Sequence, residues 1–86
     1  MEIKELYKAV KTENTDCPTL QIKDDYIELY KILKIENMAA SGGEAKYLIS
    51  QGVVRVNGET ETRKRRKTRP GDIVEFNGQQ VKITND

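Results

Sequence analysis

The sequence predicts an α+β domain, two helices followed by a small, mainly antiparallel sheet of two hairpins. Three observations carry this. Apolar residues recur at helical spacing over about 25–35, and again after a capping signal at Ser41. From Val53 onward the period changes to two. Two Asn-Gly pairs, at 57–58 and 77–78, then punctuate that second half, and Asn-Gly is the preferred pair for a two-residue type I′ hairpin. The chain has 86 residues, which suits one domain near the small end of what folds without a staple.

Residues 1–11 place Ile3, Leu6, Tyr7 and Val10 at helical spacing and predict a short amphipathic helix. The stretch 14–18 ends in Pro18 and reads as a break. Residues 1–16 are therefore expected to be an N-terminal extension, and 17–86 the domain proper. Leu20 and Ile22 alternate with polar neighbours over 19–23, which predicts a brief strand.

The first domain helix is expected over about 25–35, capped by Asp24 or Asp25. Tyr26, Leu29, Tyr30 and Leu33 follow the i, i+3, i+4, i+7 rule, and Ile27, Ile32 and Ile35 widen the stripe to more than one side. Tyr26 and Tyr30 accordingly read as core residues with a wet hydroxyl. Ser41-Gly42-Gly43-Glu44 fits a capping box, in which the hydroxyl and the carboxylate each satisfy a backbone N–H. That helix should run to about Gln51, with Gly52 as a left-handed cap and Ala45, Leu48 and Ile49 facing inward.

Residues 53–56 and 59–62 then read as one hairpin, and 73–76 and 79–83 as the other. Between them Arg69-Pro70-Gly71-Asp72 is suited to a type II turn, with Pro and Gly central.

Charge is where function shows. The formal net charge is only +1, a balance that argues against a polyanion partner. The average conceals a polarised molecule. Residues 1–40 carry six basic and eight acidic groups, a net −2, and residues 41–86 carry nine and six, a net +3. Between positions 63 and 69, Arg63, Lys64, Arg65, Arg66, Lys67 and Arg69 surround Thr68 with no acid among them. So dense a run repels itself unless it sits in water or faces an anion. Guanidinium forks pair bidentately with phosphate oxygens, so the run points to nucleic-acid backbone. The bland alternatives are a solvated loop and a nuclear-import signal.

Ser41, Gly42 and Gly43 at a helix start offer free N–H groups to a phosphate, with Lys46 one turn further on. The bland alternative is a tight, capped helix start, which Glu44 favours. Tyr47 is the tyrosine suited to stacking on a base. Arg55 is either an interface residue or an exposed strand residue paired with a glutamate.

Other classes find little support. The chain has no histidine and a single cysteine, Cys17, so His-dependent triads, His-Cys zinc sites and an internal disulfide are excluded. Glu59 and Glu61 have no nearby partner acid or pocket to make a catalytic pair. No cofactor or metal is expected. No apolar run approaches the roughly 20 residues that span a bilayer, and no signal-peptide pattern opens the chain. The expectation is a cytoplasmic monomer. The Thr-Asn-Asp end differs from the Gly-Gly end of a ubiquitin-like sulfur carrier.

The ordered set of motifs resembles a known family. Residues 26–35, Ser41-Gly42-Gly43-Glu44-Ala45-Lys46, Gln51-Gly52-Val53-Val54-Arg55-Val56-Asn57-Gly58 and Pro70-Gly71-Asp72-Ile73-Val74 are similar to the RNA-binding domain of the ribosomal protein S-four type. That domain, also called the alpha-L motif, recurs in pseudouridine synthases and some tyrosyl-tRNA synthetases. The likeness spans about residues 20–83. Gly-Gly-Glu-Ala-Lys, Val-Asn-Gly-Glu and Glu-Thr-Arg-Lys-Arg look most like the small stand-alone members of the YbcJ type.

The resemblance implies a non-enzymatic module whose two helices and following hairpin grip structured RNA, rRNA or tRNA, as in ribosome assembly or translation. Matched residue by residue, it carries RNA contact to Ser41, Lys46, Arg55 and the run beginning at Arg63. Many members of the family have an arginine directly after the capping serine, where this chain has Gly42. That departure shifts the load onto Lys46 and the 63–69 run. The competing expectation is a protein–protein module that docks on an acidic partner surface.

Overall fold

The structure is a computed structural model that describes residues 18–85. The amphipathic helix expected over 1–11, the 1–16 extension and Cys17 lie outside the described residues. The order is β1 (Thr19–Ile22), β2 (Ile27–Glu28), α1 (Leu29–Ile35), α2 (Gly42–Ser50), β3 (Val54–Val56), β4 (Glu59–Thr60), β5 (Lys67–Thr68), β6 (Ile73–Phe76) and β7 (Gln79–Asn85). The α+β class is as expected.

Both Asn-Gly pairs turn hairpins. Asn57 and Gly58 have φ of 55° and 85°, Asn77 and Gly78 of 53° and 79°, the pair of left-handed residues that a type I′ turn requires. Gly71, with φ of 99°, occupies the left-handed position of the expected type II turn, and Asp72 N–H closes that turn on the Arg69 carbonyl at 3.0 Å.

The sheet differs from the expected meander. Its order is β1-β7-β6-β3-β4, with β1 parallel to β7 and the other pairs antiparallel. The two hairpins lie side by side through β3 and β6, Val56 opposite Val74. Period-two alternation says which side chains face inward but not which way a neighbouring strand runs, so the sequence left β1 unplaced. The return strand expected over 59–62 ends at Thr60, although Glu61 N–H still donates to the Val54 carbonyl at 2.9 Å.

One face of the sheet carries the core. Val54, Val56, Val74, Val81 and Ile83 are buried, while Arg55 and Lys82 between them are exposed. Against that face pack Leu29, Ile32 and Leu33 of α1 and Ala45 and Ile49 of α2. Each large apolar side chain so buried contributes about 1.5–3 kcal/mol. Leu48 packs at the margin of this cluster, so the expected inward face of α2 is the observed one.

The α2 start is the expected capping box with one shift. Glu44 N–H donates to Ser41 Oγ at 3.1 Å, and Ala40 N–H donates to Glu44 Oε1 at 2.8 Å. Gln51 caps the other end, and Gly52 follows with φ of 78°.

The α1 start corrects the sequence reading. The helix begins at Leu29, not at 25, and neither Asp24 nor Asp25 caps it; Glu28 stands at the N-cap without a side-chain capping bond. Ile27 and Glu28 are extended because they form a ladder with Thr68 and Lys67 of β5. Tyr26 therefore precedes the helix and is 39% exposed, and Ile35 at the far end is 51% exposed. The apolar stripe is narrower than the sequence implies. Among the described residues no helix is long and apolar enough to cross a membrane.

Candidate nucleic-acid interface

The 63–69 run is fastened to the fold by its backbone. The first N–H groups of a helix have no partner within it. Here Leu29 N–H donates to the Arg66 carbonyl at 3.0 Å and Tyr30 N–H to the Lys64 carbonyl at 3.1 Å. The next two residues of the run are β5, paired antiparallel with β2. Thr68 is fully buried, and its Oγ1 donates to the Arg66 carbonyl at 3.3 Å. The single uncharged member of the run is thus its anchor. The run follows the first hairpin in sequence and is laid across the start of α1.

Its cations then divide into two kinds. Arg66 is an internal strut. Its Nε lies 3.0 Å from Glu61 Oε1 and its Nη1 3.1 Å from Asp72 Oδ2, with only 22% of the side chain exposed. Asp72 also accepts from Arg69 N–H and Asn57 Nδ2, both at 2.9 Å, and Asn57 Oδ1 accepts from Ile73 N–H. Partial burial pushes the Asp72 carboxyl up, but the Arg69, Asn57 and Arg66 hydrogen bonds outweigh it and the net shift is downward. Glu61 is held at about 2, chiefly by side-chain hydrogen bonding from Arg63. Arg63 Nε and Nη2 each reach it at 2.9 Å, and its carboxylate raises the Arg63 pKa in return. Arg63 is nevertheless exposed on its outer side.

The other members face outward. Among the described residues, Lys64, Lys67 and Arg69 have no carboxylate partner, and all three are exposed. Arg65 meets Glu28 at 3.3 Å, a carboxylate that Lys31 also approaches at 3.6 Å. Exposed pairs of this kind are weak and readily exchange for another anion. Arg63, Arg65, Arg66 and Lys67 line one open basin of about 470 Å³.

Tyr30 joins this segment to α2. Its ring has Lys46 Nζ at 4.7 Å, the Arg65 guanidinium carbon at 5.3 Å and Lys31 Nζ at 6.0 Å from the centroid. Such contacts are worth about 0.5–1 kcal/mol each at exposed sites, and they hold positive charges close together that would otherwise separate. A Cβ on Gly42 would touch the same ring at 3.7 Å. That is ordinary contact, so the backbone leaves room for a side chain at Gly42. Gly43 and Ser41 complete an exposed helix start beside the ring. Tyr47, next to Lys46, is 62% exposed.

Arg55 is the expected site residue that stays apart. It stands on the sheet face opposite its buried neighbours, in register with Thr60 and Glu75. No contact links it to the Tyr30 cluster among the described residues. Sequence reading missed Tyr30, Lys31 and Tyr26, over whose ring Lys67 Nζ stands at 5.1 Å. Both tyrosines fit an apolar helical stripe, and that pattern hid them. No group of His, Cys, Asp and Glu among the described residues is placed to hold a metal ion.

Comparison with known proteins identifies the fold and the family. Over 61 residues the chain is 43% identical to YbcJ of Escherichia coli (strain K12), covering 71% of this chain and 87% of that one. It is 39% identical over 59 residues to RlbA of Bacillus subtilis (strain 168), named a probable ribosome maturation protein, covering 69% and 83%. The solution structure of E. coli YbcJ, described as revealing an alpha-L motif involved in RNA-binding, superposes with a TM-score of 0.63 at 38% identity. That match covers 81% of this chain and 90% of that one. The S4 domain matches residues 20–84, and the chain belongs to the S4 domain family.

Proposed function

We propose that this chain is a non-enzymatic binding protein for structured RNA, ribosomal or transfer, acting mainly through phosphate contacts. The observation that carries the reading is that the 63–69 segment is fastened through its backbone, Thr68 and Arg66 rather than through its other cations. The Lys64 and Arg66 carbonyls and the β5 ladder hold the chain, which leaves Lys64, Arg65, Lys67 and Arg69 turned outward. Lys46 joins them across Tyr30. Fixed cations without committed carboxylates suit a polyanion whose backbone follows the same path. The described alpha-L motif of YbcJ and the ribosome maturation named for RlbA support RNA, and a ribosomal particle, as the partner.

Arg66 supports the fold, and Arg63 shares its charge with Glu61, so the phosphate contacts fall on Lys46, Lys64, Arg65, Lys67 and Arg69. Ser41, Gly42 and Gly43 form the adjoining wall, with Tyr47 beside it. Crosslinking in cells followed by sequencing of the bound RNA tests the reading. Enrichment of rRNA or tRNA is expected; a stoichiometric protein complex that survives nuclease, with no enriched RNA, contradicts it.

A further inference from the structure

A further concavity among the described residues lies beside the basic segment. A cavity of about 630 Å³ opens between β1, β2 and α1, a volume typical of small-ligand pockets, about 300–1,000 Å³. Leu20 and Ile22 give it an apolar floor, Tyr26 an aromatic wall, and Asp24, Glu28 and Lys31 a polar rim. Two of these residues also belong to the basic interface. Lys67 stands over the Tyr26 ring at 5.1 Å, and Arg65 pairs with Glu28 at 3.3 Å. The Asp24 carboxylate is exposed and has no partner among the described residues.

We propose that this cavity receives one unpaired guanine of the RNA held by the basic segment. The inference rests on the RNA-binding reading above. An RNA backbone that reaches Lys67 and Arg65 passes the mouth of the cavity, so a base turned out of the stack has a short path into it. Single-stranded and bulged nucleotides are recognised by stacking on aromatic rings and by hydrogen bonds to the base edge. Tyr26 supplies the ring. A carboxylate offers two acceptor oxygens and no donor. Guanine is the base whose Watson–Crick edge presents two adjacent donors, N1–H and the N2 amino group. Adenine and cytosine present one amino group there, and uracil one imino group. The unpartnered Asp24 therefore sets the preference, and Tyr26 supplies the general affinity for an unstacked base.

Fluorescence anisotropy with three labelled RNA hairpins tests this: one fully paired stem, the same stem with one bulged guanine, and the same stem with one bulged adenine. The bulged-guanine hairpin is expected to bind about tenfold tighter than the paired stem, the size of one base–aromatic stack, and tighter than the bulged adenine. Tyr26→Ala should bring it down to the paired-stem affinity, with Tyr26→Phe retaining the difference and showing that the fold is intact. Asp24→Asn should erase the distinction between guanine and adenine alone. Equal, salt-dependent binding of all three hairpins overturns the cavity assignment and leaves the RNA reading standing. A bulged-guanine affinity undiminished by Tyr26→Ala, or bulged guanine and adenine bound alike by the wild type, overturns it as well. Binding of none of the three overturns both.

Discussion

Arg66 and Arg69 illustrate how one charge type takes two roles within a single run. Arg66 bridges Glu61 and Asp72 from a largely enclosed position, while Arg69 has no carboxylate partner among the described residues. Removing one member of a charge-assisted, partly buried network leaves the others unpaired and costs about 1–3 kcal/mol. Arg66→Ala is expected to lower the unfolding free energy by that amount in a denaturant titration, and Arg69→Ala to leave it within about 0.5 kcal/mol. Glu61 adds a pH dependence. Its folded carboxyl titrates at about 2 against an ordinary 4.5, so its contribution is fully present above pH 4.5 and is lost as the pH falls toward 2. The depressed Asp72 carboxyl acts in the same direction. Denaturation midpoints measured across that window should fall for the wild type and fall less steeply for Glu61→Gln. The sequence showed the charges at these positions but not their division, because Glu61 and Asp72 are separated by the whole basic run. The turn residues were legible, since Asn-Gly and Pro-Gly carry their backbone requirement in their own chemistry.

At the scale of elements, the informative feature is the start of α1. The apolar spacing from Tyr26 predicted a helix four residues longer at its N-terminus than the one observed. The spacing was real, but Ile27 and Glu28 pair in the ladder with β5 instead of joining the helix. Local pattern cannot see that competition, because its partner lies some forty positions away. The exchange leaves a testable mark. Amides in the first turn of a helix ordinarily exchange freely, whereas Leu29 and Tyr30 N–H groups are bonded to the basic run. Hydrogen exchange followed by NMR should find both protected. Thr68→Gly, which removes the buried anchor of β5, should release these two amides well before those of α2. The second helix was read almost in full, because its Ser41 cap, its Glu44 return bond and Gly52 are all local signals.

For the molecule as a whole, basic groups distant in sequence gather around one ring. The basic segment, the α2 start and Lys46 meet at Tyr30, and the sheet behind them supplies the core. Family membership was legible from ordered motifs, and so were the class and both hairpins. The parallel pairing of β1 and the placing of the basic run on α1 were not, because both depend on contacts distant in sequence. The central claim is that outward-facing cations held by the backbone neutralise RNA phosphates. Titration of a labelled RNA hairpin bearing a single-stranded loop, repeated over a salt series, tests it most directly. With Lys46, Lys64, Arg65, Lys67 and Arg69 engaged, log affinity should fall against log salt with a slope of roughly −3.5 for the wild type. The variant with Lys46, Lys64, Arg65 and Lys67 changed to Gln should keep its fold and flatten to a slope of roughly −0.7. Binding that scarcely responds to salt, or a slope unchanged in the variant, would contradict the account.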